Sequence, residues 1–135
     1  MSKTKQKVQR VPAEVRFAEQ LQRLADTDQH EVPPGWRLSP IAVEHFIDGN
    51  AELGIARKFV GESGQLRRTI ISLCANRSCL LTGEPGTAKS WLSELLAAAI
   101  SGNSTLTIQG NAISSIQQLL YSWNPSLLEQ RGPCP

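Results

Sequence analysis

The stretch Gly83-Glu84-Pro85-Gly86-Thr87-Ala88-Lys89-Ser90, GEPGTAKS at residues 83–90, decides how the rest of the chain is read. Gly83 and Gly86 free the backbone to wrap closely around a ligand, and Pro85 stiffens the turn between them. Such an order suits a polyphosphate, which is held by inward-pointing backbone N–H groups and by the positive end of a helix macrodipole. Lys89 would reach the β- and γ-phosphates as a mobile point charge. The Ser90 hydroxyl would complete the coordination of a Mg²⁺ that keeps several of its waters. The spacing predicts a phosphate-binding loop with Mg²⁺ and ATP as its ligands.

The general pattern G-x-x-x-x-G-K-[ST] asks for glycine where this chain has Ala88. Alanine is admissible there if the chain has already entered right-handed helical dihedrals, and it is the best helix former. A plainer reading is a glycine-rich turn that merely caps a helix. The flanks favour the loop: residues 79–82, Cys-Leu-Leu-Thr, read as a short buried strand. Leu92, Leu95, Leu96 and Ala99 then repeat at helical spacing until Ser101-Gly102-Asn103.

Working outward, residues 105–108 alternate polar and apolar, which predicts a second strand. A helix is expected over 112–120, and residues 123–135 carry no clear period. Upstream, Val11-Pro12 opens a helix bearing Phe17, Leu21 and Leu24 as far as Asp28. Val32-Pro33-Pro34-Gly35 breaks it. Ser39-Pro40 suits an N-cap and first helical residue, with Val43, Phe46 and Ile47 as the apolar stripe before Asp48-Gly49-Asn50. Ser63 is the expected cap of a further helix carrying Leu66, Ile70 and Leu73 to about Asn76.

The chain has 135 residues and a net charge of +2. Four positive charges fall at Lys3, Lys5, Lys7 and Arg10, so the remainder is near −2. Residues 1–11 are read as a basic flexible tail and residues 12–50 as a helical segment. No broad basic face is implied, so nucleic acid is not an expected partner. No apolar run approaches the length of a membrane span and no secretory signal is visible, which predicts a cytoplasmic protein. Cys74, Cys79 and Cys134 form no CxxC pair, and the first two read as small core residues. His30 and His45 have no second ligand at metal spacing, and Trp36, Trp91 and Trp123 read as packing residues. Arg67 and Arg68, side by side on one helix, read as solvated or as contacts to a phosphate or a neighbouring subunit.

GEPGTAKS, with Pro-Gly at its centre and Ala88 before Lys89, resembles the loop of MoxR-type AAA+ ATPases. The resemblance extends back through Lys58-Phe59-Val60-Gly61, which looks like the segment that packs on adenine in that family, and forward through residues 104–110. It implies an α/β fold: an incomplete P-loop NTPase core of the AAA+ type over residues 51–135, preceded by N-terminal helices. It also implies cofactor contacts from Val60 and Gly61 besides residues 83–90, assembly into hexameric rings, and a partner carrying a von Willebrand factor A domain. The family remodels or matures partner proteins. Its later parts, namely an apolar strand ending in Asp-Glu, sensor residues, an arginine finger and a helical lid, have no counterpart here, so no catalytic residue is assigned.

The chain therefore reads as a truncated front part of such an ATPase, with hydrolysis by it alone not expected. In the family's sheet two later strands lie between the two expected here, so residues 79–82 and 105–108 would lack ladder partners and the chain would be marginally stable. Two other readings stay open: a small-molecule P-loop kinase, and a non-catalytic fragment that keeps the loop only by descent.

Overall fold

A computed structural model describes residues 10–108. The expected helix 112–120, Trp123, Cys134 and most of the basic tail lie outside the described residues. The chain divides into one unit over Met1–Thr105 and a second over Leu106–Pro135, of which only residues 106–108 are described.

The described residues form five helices: α1 (Ala13–Arg16), α2 (Ala18–Thr27), α3 (Pro40–Asp48), α4 (Ser63–Cys74) and α5 (Lys89–Ser101). α1 and α2 replace the single helix expected from Pro12 to Asp28. The break falls at Phe17, whose φ of −114° and ψ of 25° leave the helical region. The aromatic ring there packs edge-on against Phe46, with centroids 5.9 Å apart, and tilted against Trp91 at 6.2 Å. Packing that ring between two helices favours the break.

α3 is the centre of the packing. Its Val43, Phe46 and Ile47 are fully buried, and α2, α4 and α5 deliver Leu24, Leu66, Ile70, Leu95 and Leu96 against them. The predicted cap is present, since the Ser39 hydroxyl accepts from the Ala42 amide at 3.2 Å. The same hydroxyl donates to Asp28 Oδ1 at 2.9 Å, and the Ser39 amide donates to Asp28 Oδ2 at 2.8 Å. One carboxylate therefore joins the end of α2 to the start of α3. Burial pushes the Asp28 pKa up, but the hydrogen bonds from Ser39 and His30 outweigh it and leave the carboxyl below its ordinary value. His30 is accounted for by this contact.

After α3 the chain reverses tightly. Asn50 and Ile55 exchange both backbone hydrogen bonds in an antiparallel bridge, at 2.9 and 2.8 Å. Gly49 makes the reversal possible: its φ is +93°, and a Cβ there would stand 2.8 Å from the Arg57 amide nitrogen. Lys58 then folds back on α3, its ammonium donating to the carbonyls of Phe46 at 2.8 Å and Ala56 at 3.1 Å over the Phe46 ring. Burial lowers its pKa to about 8.

Several expectations need correction. Among the described residues there is no strand: residues 79–82 and 103–108 carry no ladder, and Leu80 and Leu106 are 88% and 87% exposed. The α/β layering is thus not formed among them. A strand exists only through a partner, and among the described residues none pairs with either segment. Ser63 is not a cap but the first residue of α4; Glu62 precedes it, and the Ser63 hydroxyl bonds Asp48 Oδ2 at 3.2 Å. Cys74 and Cys79 are exposed rather than in the core.

Candidate functional site

α5 is fixed from behind by the N-terminal helices. Glu94, one turn along α5, accepts from the first α1 amide, Ala13 N, at 3.1 Å and pairs with the Arg10 guanidinium. Arg10, counted with the tail in the sequence, lies with its guanidinium 4.7 Å from the Trp91 ring centroid. Trp91 Nε1 in turn donates to the Lys58 carbonyl at 3.0 Å. That bond ties the start of α5 to the segment that continues through Phe59 and Val60, so two stretches 33 residues apart in sequence meet beside the loop.

The loop itself is held by few bonds, all internal. Lys89 Nζ donates to the carbonyl oxygens of Gly83 at 2.9 Å and Glu84 at 2.5 Å and to Thr87 Oγ1 at 2.9 Å. Thr87 Oγ1 donates to the Glu84 carbonyl at 2.8 Å. A Cβ at Gly83 would lie 3.3 Å from Thr87 Oγ1 and 3.9 Å from Lys89 Nζ. The ammonium sits where backbone comes closest. α5 begins with no side-chain cap, and the first amides of a helix have no acceptor within it.

Ala88 departs from the sequence reading. It is left-handed, with φ 56° and ψ 25°, and the right-handed helix begins only at Lys89. The pattern's glycine is therefore a backbone requirement that this chain meets at a cost, since a side chain in that region costs about 1–2 kcal/mol.

Val60, Gly83, Thr87 and Lys89 line one open groove of 560 Å³. Phe59, Leu81 and Leu92 supply its apolar wall, and Gln65 and Arg68 face it from α4. Glu84, Pro85, Gly86, Ala88 and Ser90 are exposed along the loop but do not line the groove. Gly61 does not line it either; its carbonyl accepts from Arg57 at 3.1 Å, and a Cβ on it would strike the Phe59 ring. Gln65 and Arg68 were missed as a pair. They are three residues apart on a helix, so they share a face, and that spacing was readable.

The residues fit a hydrated Mg²⁺ and a nucleotide. Ser90 is exposed and its hydroxyl has no partner among the described residues, leaving it available to a cation that retains its waters. No cluster of three metal-ligating side chains occurs among the described residues. Among the described residues no carboxylate lines the groove.

Residues 78–132 match the AAA domain family, dynein-related subfamily, which supports an AAA-type nucleotide-binding region over that stretch. The chain is 46% identical over 133 residues to the uncharacterized protein YehL of Escherichia coli (strain K12), a match covering 98% of this chain and 37% of that protein. The chain thus spans well under half the length of this relative. No solved structure matches. Among the described residues no helix is long and apolar enough to cross a membrane.

Proposed function

We propose that this chain binds a Mg²⁺-complexed nucleoside triphosphate, ATP, at residues 83–90, as the nucleotide-binding part of a MoxR-type AAA+ ATPase. The observation that carries the reading is the Lys89 ammonium. It is held at the centre of a glycine loop by two carbonyls and a hydroxyl, at the mouth of a groove walled by Phe59 and Val60. Those oxygens stand in for phosphate oxygens when no anion is present. An incoming triphosphate exchanges neutral acceptors for charged ones, which bind an ammonium about twice as strongly. The uncapped start of α5 faces the same anion.

Mg²⁺ supplies charge neutralisation between the phosphates, and Ser90 is the side chain that would hold it. Val60 packs on the base, with Gly61 passing the backbone beside it. Remodelling of a partner protein, ring assembly and a von Willebrand factor A domain partner follow from the family resemblance and belong to the whole protein, whereas a cytoplasmic location is the expectation from the sequence's lack of a secretory signal or membrane-length apolar run. Hydrolysis is not assigned to the described residues, because the groove lacks a carboxylate to position water.

Titration with Mg·ATP tests the reading. Replacing Lys89 by Ala removes a charge-assisted contact of about 1.5–3 kcal/mol, so affinity falls on the order of 10- to 150-fold. Equal, weak signals from the wild-type chain and from Lys89→Ala would sink it.

A further inference from the structure

Arg67 and Arg68 are adjacent in sequence, yet the fold gives them opposite surroundings. Arg67 Nε donates to Glu44 Oε1 at 2.7 Å, so its charge is spent on α3. Arg68 points the other way, lines the groove with Gly83, Thr87 and Lys89, and has no hydrogen bond or ion pair for its guanidinium among the described residues. Lys89, the other cation of the groove, is already surrounded by three oxygens. Among the described residues no acid lines the groove to neutralise either charge. A guanidinium that no described residue pairs, in a groove carrying a second cation, suits a polyanion, and its planar fork of donors matches phosphate oxygens.

We infer that Arg68 is a second phosphate-contacting residue of this groove, reaching the nucleotide's phosphate chain from α4 while Lys89 reaches it from the loop. The inference rests on the nucleotide reading above. It gives α4 a part in binding, since the phosphate chain then bridges α4 and the start of α5.

The test compares the full chain with Arg68→Ala, Arg68→Lys, Arg67→Ala and Lys89→Ala in calorimetric titrations with Mg·ATP at low and high salt. Arg68 is exposed and its guanidinium has no partner among the described residues, so its variants should keep the wild-type melting temperature. At low salt Arg68→Ala should weaken binding roughly 3- to 10-fold, with Arg68→Lys recovering part of the loss. Because a charge contact is screened, the affinity of Arg68→Ala should also vary less with salt than that of the wild type. Arg67→Ala should bind as the wild type does. If Lys89→Ala weakens binding as expected while Arg68→Ala binds normally, the role of Arg68 is refuted and the nucleotide site stands. A loss in Arg68→Ala that is equal at all salt concentrations also overturns it, because the contact is then not one of charge. If the wild-type chain binds no Mg·ATP, both readings fall together.

Discussion

Replacing Ala88 by glycine should make this protein more stable, although the same change in the helix that follows should make it less so. At Ala88 the φ of 56° and ψ of 25° put a methyl group in the left-handed region, at a cost of about 1–2 kcal/mol. Glycine removes that cost but brings back about 0.5–1 kcal/mol of unfolded-state entropy. Taking the middle of both ranges, the net gain is about 0.7 kcal/mol, a rise in melting temperature of roughly 2–5 °C for a domain of this size. Ala97 lies inside α5 with right-handed dihedrals, so Ala97→Gly should lose about 1 kcal/mol. Thermal unfolding followed by circular dichroism reads both variants against the wild type. Had Ala88 already entered the helix, as the sequence alone suggested, both would fall by similar amounts, and that result would refute the left-handed assignment. The stabilised variant should also keep its affinity for Mg·ATP, because glycine leaves the loop amides and Lys89 in place.

Gly49→Ala tests the reversal after α3: strain at φ +93° adds to a 2.8 Å contact with backbone that cannot move aside, and stability should drop by roughly 2–4 kcal/mol in urea denaturation. An unchanged midpoint would show that the reversal is not built this way. Asp28 should make stability acid-sensitive. Its folded pKa is depressed below 3.8, so its contribution is complete above that value and is lost as pH falls through the lower, folded pKa. Asp28→Asn should flatten the acid limb of a stability-against-pH curve, and an unaltered limb would remove Asp28 from the account.

The helices were legible because each has a local cause. Ser39 and Pro40 set the start of α3, and the apolar period of Leu92, Leu95 and Leu96 marks α5. What failed to be legible has non-local causes. The break at Phe17 is set by Phe46 and Trp91, which lie far along the chain. Strand pairing at residues 79–82 depends on neighbours that the segment does not itself encode. Ser63 was displaced as a cap because Asp48 offers its hydroxyl a partner. In the site, the loop residues were readable as a contiguous pattern. The distinction between Arg67 and Arg68 needed Glu44, 23 residues before Arg67, to be seen beside it.

The arrangement divides the work between a fixed part and a loose one. α5 is anchored through Leu95, Ala98 and Ala99 in the core, through Glu94 to α1, and through Trp91 to Lys58. The loop ahead of it is exposed, and its side-chain bonds among the described residues are those made by Lys89 and Thr87. Ligand binding can therefore reorganise the loop without disturbing the core, since only those few bonds must be exchanged. The position of the loop relative to Val60 is nonetheless fixed, because the Trp91 bond holds the segment before Val60 to the first turn of the loop's own helix. A Trp91→Phe change would keep the ring packing but release that tie, and on this account it should weaken nucleotide binding more than it weakens the fold.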